Sequence, residues 1–234
     1  MFGLIPSPLV GPGSWAPVAE VLARRGLGAR VATLSDSPAS SIPFWQQHAA
    51  SAAASLADFG LGQPLVLAGH SGAGPLLPAI RQAMPRPVAA YLFVDAGLPA
   101  GGQSRLGMWR AEDAAAAAEL QAHLLAGGRY PEWSDADLQD DIPDAAARRS
   151  LLAEVRPRGL DFFSEPLPAV AGWPDAPCAY LQLSDGYTEP ARQARERGWP
   201  FGQLAGGHFY LIVQPDAVAE AMLALAWQLS VALL

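Results

Sequence analysis

Two runs of the chain, Pro64–Ala68 (PLVLA) and Val88–Val94 (VAAYLFV), contain no charged side chain. A strand with one face in water alternates apolar and polar residues. A strand covered on both faces reads as a continuous apolar run. Segments of helical character lie between these runs and the other strand-like ones, so strand follows helix follows strand along most of the sequence. That alternation restricts the chain to an α/β architecture, a three-layer sandwich with a mostly parallel sheet between two layers of helices, because parallel neighbours need a crossover. The expected strands are Phe2–Ile5, Ala29–Leu34, Pro64–Ala68, Val88–Val94, Cys178–Leu183 and Phe201–Leu204. The expected helices are Trp15–Arg25 with Ser14 as its cap, Ile42–Phe59, Ser71–Met84, Glu189–Arg197 and Pro215–Leu233. With 234 residues, half of them hydrophobic, the chain can bury one sizeable core.

The rhythm breaks between Leu98 and Trp173. This stretch opens with LPAGGQSR, closes with EPLPAVAGWPDAP, and offers helical pieces at Ala111–Leu125 and Asp144–Val155 but no apolar strand. It reads as a helical cap, residues 98–173, inserted into a core built from residues 1–97 and 174–234. Its acidic run DADLQDDIPD reads as a solvated surface.

The formal net charge of −7 argues against nucleic acid and anionic membranes as partners. Cys178 is the single cysteine, so no intramolecular disulfide can form, which fits a cytoplasmic setting. The N-terminus lacks the basic and apolar regions of a signal peptide. The C-terminal AVAEAMLALAWQLSVALL approaches membrane-spanning length, but Glu220 and Gln228 interrupt it, so it reads as a core helix on the sheet. Its end, Val231–Leu234, is a candidate subunit contact for a homodimer. Of the four histidines, His48 reads as a helix-surface residue and His70 as a packing residue. No Cys/His cluster has zinc spacing, and neither a metal nor another cofactor is expected.

One strand ends in an unusual way. In LVLAGHSGAGPLLPAI, Leu65–Ile80, the apolar run stops at Gly69, and Ser71 follows among Gly72, Ala73 and Gly74. A strand that turns sharply into a helix can hold one side chain clear of the sheet end, provided that its neighbours are small enough for the backbones to approach. The amide after that residue lies at a helix start, where free N–H groups can stabilise a developing oxyanion. GHSGAG meets these demands, with Ala73 in place of the last glycine of G-x-S-x-G. A serine that merely caps a helix is the plain alternative.

On this motif and its place after a buried strand, the chain resembles the α/β-hydrolase superfamily over most of its length. The resemblance implies a histidine in the loop after the last strand. QLAGGHFYLIVQPDAVAEAM supplies His208 there. It further implies Ser71 as nucleophile, His208 as general base and a carboxylate that orients the base. Asp95 in YLFVDAGLP ends a strand, as in the branch that includes haloalkane dehalogenases. Asp185 in YLQLSDGYTEP follows the next strand, the commoner location, and Glu189 is a further candidate. Asp95 is the first choice, and the alternatives stay open.

One departure from the family pattern bears on the chemistry. The Gly72 amide is one expected oxyanion donor. The second normally comes from the loop after the first strand, where relatives carry His-Gly. Here the loop is IPSPLVGPGSW, and the donor position falls on Pro8, which has no N–H. Leu9 would supply a donor if the loop shifts by one residue, and the Ser7 hydroxyl could assist. The substrate pocket is expected between the sheet end and the cap, with Leu9, Trp109, His123, Trp133, Phe162, Phe163, Tyr187 and Phe209 as candidate lining residues. The leading reading is a serine-dependent hydrolase of a small, fairly apolar ester or related carbonyl compound. The alternative keeps Ser71 and His208 for proton transfer in a lyase or cyclase, and a ligand-binding receptor is the non-enzymatic third.

Overall fold

The computed structural model describes residues 1–231. Six strands, β1 (Phe2–Ile5), β2 (Ala29–Val31), β3 (Val66–Ser71), β4 (Ala90–Ala96), β5 (Cys178–Gln182) and β6 (Phe201–Gln203), form one parallel sheet in the order β2-β1-β3-β4-β5-β6. The helices are α1 (Ala16–Arg24), α2 (Phe44–Leu56), α3 (Leu77–Ala83), α4 (Arg105–Glu112), α5 (Ala114–Leu125), α6 (Ala145–Ala153), α7 (Leu160–Ser164), α8 (Thr188–Glu196), α9 (Tyr210–Val213) and α10 (Pro215–Gln228).

The apolar runs divide by alternation. Phe2, Leu4, Val66, Ala68, Leu92, Val94 and Leu181 pack on one face against Val18, Val21 and Leu22 of α1 and Val218, Met222 and Leu225 of α10. Leu67, Tyr91, Phe93 and Tyr180 point the other way, against Ala49, Ala52 and Leu56 of α2, Leu77 and Ile80 of α3, and Ala191 and Ala194 of α8. Both faces are thus dry, which is why the runs Pro64–Ala68 and Val88–Val94 carry no charge. β1, β3 and β4 sit inside the sheet, so their C-terminal ends meet at the middle of its upper edge.

Several boundaries differ from the sequence reading. β3 continues past Ala68 to Ser71, because ladder pairing with β4 holds Gly69 and His70 regardless of their side chains. The helix expected from Ser71 begins only at Leu77, after a 3-10 turn at Gly74–Leu76. Ser14 does not cap α1: it lies in a preceding 3-10 turn, and its Oγ donates to the Gly11 carbonyl. The expected helix Ala111–Leu125 is two helices, because Asp113 accepts the N–H groups of Ala115 and Ala116 and starts α5 afresh. α10 ends at Gln228, short of the expected Leu233. Apart from Val231, the candidate subunit contact lies outside the described residues. Among the described residues no helix is long and apolar enough to cross a membrane.

Residues 98–173 contribute no strand to the sheet and carry α4 to α7. Charged groups fasten them to the strand-bearing part. Arg158 donates to both carboxylate oxygens of Asp36 (2.7 and 2.6 Å), and Asp36 also bonds His48 Nε2 at 2.8 Å. His48 is fully buried, which corrects its reading as a surface residue. Burial pushes its pKa down to about 4 against the pull of Asp36, so its ring is neutral. Glu165 accepts the N–H groups of Phe44 and Trp45 at the start of α2 and pairs with Arg105 at 2.9 Å.

Candidate active site

Ser71 ends β3 with φ +58°, a left-handed conformation that is costly for a residue with a Cβ, on the order of 1–3 kcal/mol. The chain can hold it there because the turn is packed backbone on backbone. A Cβ at Gly74 would come within 2.1 Å of the Gly97 carbonyl, so no other residue fits. The Ala73 N–H closes the turn on the His70 carbonyl at 3.0 Å. Ser71 Oγ hydrogen-bonds the Tyr187 hydroxyl at 3.0 Å, rather than His208 Nε2 as the sequence reading expects.

Asp95 is the second strained residue, with φ +43°. His70 pairs with Val94 but Ser71 pairs with Ala96, so Asp95 is the extra residue of a β-bulge. The bulge re-aims its side chain along the sheet edge. It also takes Ala96 out of the regular ladder, and the Tyr180 hydroxyl repairs this by accepting the Ala96 N–H (3.1 Å) and donating to the Ala96 carbonyl (2.8 Å). Asp95 is fully buried and saturated with donors. Oδ1 accepts the N–H groups of Leu183 and Ser184, while Oδ2 accepts the Ser184 hydroxyl at 2.6 Å and bonds His208 Nδ1 at 2.7 Å. Burial would raise the carboxyl pKa, but His208, the Ser184 hydroxyl and the Leu183 amide outweigh it and hold it below the usual carboxylate value.

Of the carboxylates named from sequence, Asp95 is the one bonded to His208. Asp185 stands exposed in the 3-10 turn Asp185–Tyr187, beyond the end of β5, and makes no bond to His208. Glu189 faces Arg192 at 2.6 Å. The His208 ring lies between two others: His70 stacks on it at 4.4 Å and Tyr187 at 5.0 Å. His70 is buried, and its Nε2 bonds the His208 carbonyl at 3.0 Å. Burial drives the His70 pKa down to about 3, so this ring too is neutral and Nε2–H is the donor. His70 therefore fixes the backbone of His208 while Asp95 fixes its ring.

The loop after β1 is sewn to the inserted helices. The Leu9 carbonyl accepts the Arg156 N–H at 2.9 Å, and the Pro8 carbonyl accepts from Arg158 at 3.4 Å. The Leu9 N–H points at Ser7 Oγ, 3.4 Å away. Ser7 lies against Gly72: a Cβ there would be 3.3 Å from Ser7 Oγ. Ser7 and Gly72 are thus in contact, and Leu9 is engaged by the loop itself.

A cavity of about 730 Å³ opens over Ser71 and His208. Of the expected lining residues, Leu9, Trp109, Trp133, Phe163, Tyr187 and Phe209 reach it, joined by Tyr130. Phe162 does not. It is buried beneath α4, and its ring carries the Arg105 guanidinium at 3.9 Å. His123 is also elsewhere, half-exposed and bonded to the Arg129 carbonyl. The local sequence held no signal for the Tyr187–Ser71 bond or the Tyr180 clamp, since both join residues far apart in the chain.

The model of the alpha/beta hydrolase family matches residues 5–221. The chain belongs to this family. A search of curated proteins finds no match. Among solved structures, an extracellular alpha/beta-hydrolase from a Paenibacillus species superposes with a TM-score of 0.75 at 19% identity, covering 95% of this chain and 97% of that one. Polyneuridine aldehyde esterase gives 0.69 at 16% identity, with 96% and 98% covered. Tomato methylketone synthase I gives 0.71 at 13%, with 97% of each chain covered. At such identities the likeness carries the fold and not the reaction. Esterases and a synthase share it, so alpha/beta hydrolase membership leaves hydrolytic and non-hydrolytic chemistry both plausible here.

Proposed function

We propose that this alpha/beta hydrolase is a serine esterase acting on a small, fairly apolar ester. The observation that carries the reading is the Asp95–His208 pair, 2.7 Å apart, beside a serine held in a left-handed turn over the same cavity. In this reading Ser71 Oγ turns from Tyr187 to His208 Nε2 as substrate enters. His208 takes the proton while Oγ bonds the carbonyl carbon, and Asp95 stabilises the imidazolium. The Gly72 amide and the Ser7 hydroxyl face the oxyanion. The tetrahedral species expels an alcohol that receives the proton from His208, and water then releases the acid from Ser71 by the same steps. The aromatic walls, Trp109, Tyr130, Trp133, Phe163 and Phe209, suit an apolar acyl or alcohol group. Residues 98–173 act as the cap that closes this pocket.

The test pairs a fluorophosphonate probe with short-chain aryl esters. Labelling at Ser71 and turnover are expected, and Ser71→Ala should abolish both. An unlabelled, inactive wild-type protein would reject the reading.

A second reading, a lyase or cyclase with Ser71 and His208 in proton transfer, is favoured by Pro8, which leaves the loop after β1 one amide short. Removing one oxyanion donor costs about a hundredfold or more in acyl transfer. If Pro8→Gly raises esterase activity by about that factor, ester hydrolysis is limited by the missing donor and the second reading gains. Robust esterase activity that Pro8→Gly leaves unaltered removes its basis.

A further inference from the structure

Tyr187 is held more firmly than a wall residue needs to be. It ends the 3-10 turn Asp185–Tyr187, and the base of that turn is fixed by Asp95, which accepts the Leu183 and Ser184 amides and the Ser184 hydroxyl. Gln182 Nε2 closes the turn by donating to the Ser184 carbonyl at 3.0 Å and to Thr188 Oγ1 at 3.3 Å. The ring lies flat on His208, with planes 11° apart. One carboxylate therefore positions both His208 and the turn that carries the phenol. The phenol oxygen is delivered to Ser71 Oγ at 3.0 Å, inside the cavity, and Ser71 is its one hydrogen-bond partner among the described residues.

We propose that the Tyr187 hydroxyl is a catalytic hydrogen-bond donor, passing from Ser71 Oγ to the substrate oxygen that becomes negative when Ser71 adds to the carbonyl. The inference rests on the esterase reading and adds to it a donor that no backbone amide supplies at Pro8. The switch follows from the chemistry of Oγ. In the free enzyme Oγ is a hydroxyl oxygen and a good acceptor. Once acylated it is an ester oxygen, its lone pair is drawn into the carbonyl, and it accepts poorly. Every oxygen on the carbon bonded to Oγ is a near neighbour of Oγ, so a phenol already at hydrogen-bond distance from Oγ reaches it with a small movement. Desolvation pushes the phenol pKa well above that of an ordinary tyrosine, and the bond to Ser71 offsets only part of this. The phenol therefore keeps its proton throughout, and the proton shuttled between Ser71, the leaving alcohol and water stays with His208.

Acylation and deacylation separate this role from mere placement of Ser71. Once Ser71 is acylated there is no free serine hydroxyl left to hold, yet deacylation passes through an oxyanion again. The experiment follows Tyr187→Phe with a p-nitrophenyl ester in stopped flow, resolving the acylation burst from the deacylation rate. Both steps are expected to slow by about a hundredfold, with KM for the ester and the thermal midpoint near wild type. Slowed acylation with deacylation at the wild-type rate would overturn the proposal and leave Tyr187 as a positioning residue for Ser71. Fluorotyrosine at position 187, a stronger donor of nearly the same shape, should speed deacylation. An unchanged or lower rate there would also overturn it, whatever the stability of the Phe variant. A wild-type protein that forms no acyl-enzyme rejects the esterase reading itself, and this one with it.

Discussion

At the scale of single residues, the site depends on two backbone conformations that most side chains avoid. Ser71 and Asp95 both have positive φ and lie side by side at the end of adjacent strands. Their strain is offset by surrounding contacts: the Gly74–Gly97 backbone approach for one, and the four donors and the Tyr180 clamp for the other. Asp95→Asn tests the carboxylate. An amide cannot stabilise an imidazolium, so turnover of an aryl ester should fall by about 10⁴, whereas Asp185→Asn should leave kcat/KM within a fewfold of wild type. The reverse pattern in steady-state kinetics would move the acid to Asp185. The variant should also lower stability, since an Asn side chain cannot accept from Leu183, Ser184 and His208 at once. Asp95 was readable as a strand-terminal carboxylate. Its bulge was not, because a bulge is a register between two strands and leaves no mark on either.

At the scale of elements, the inserted helices are coupled to the sheet through a few buried charges. α2 has no side-chain cap of its own, and Glu165, far along the chain, accepts its first amides. Glu165→Ala should lower the urea unfolding midpoint by an amount equivalent to about 1–3 kcal/mol, since two amides lose their acceptor and Arg105 keeps only the Phe162 carbonyl. Arg158→Leu should be worse, on the order of 3–5 kcal/mol, because it leaves Asp36 buried with only a neutral histidine. Adding Asp36→Asn to Arg158→Leu should return part of that loss. A double variant no better than the single in chemical denaturation would show that the pair contributes through packing instead. The ends of elements were the least legible part of the sequence. Ser14 and Ser71 both looked like helix starts, and in each case a 3-10 turn intervenes before the helix.

At the scale of the whole molecule, buried neutral histidines tie stability to pH. His48 and His70 have pKa values lowered to about 4 and about 3 from an ordinary 6.5, each mainly by burial. Between the folded and unfolded values the unfolded chain binds more protons, so stability falls as pH drops from 6.5 towards 4. His48 alone accounts for about 3 kcal/mol over that window. Denaturation midpoints at pH 7, 5.5 and 4.5 should fall in that order, and His48→Gln should flatten the trend. A midpoint constant across this range would contradict the burial of these rings. The sheet was determined by the sequence itself. Apolar runs dry on both faces and separated by helical segments admit little else, and residues 98–173 stood apart because no such run occurs there. Ser71 and His208 were likewise legible, since each sits in a local pattern of small residues at a strand end. Only the tertiary structure brought Asp95 rather than Asp185 to His208, turned Ser71 to Tyr187, buried His48 and withheld Phe162 from the cavity. Those outcomes depend on which residues, distant in the chain, come to share a surface, and hydrogen-bond geometry over a few ångströms is set by packing that no local pattern encodes.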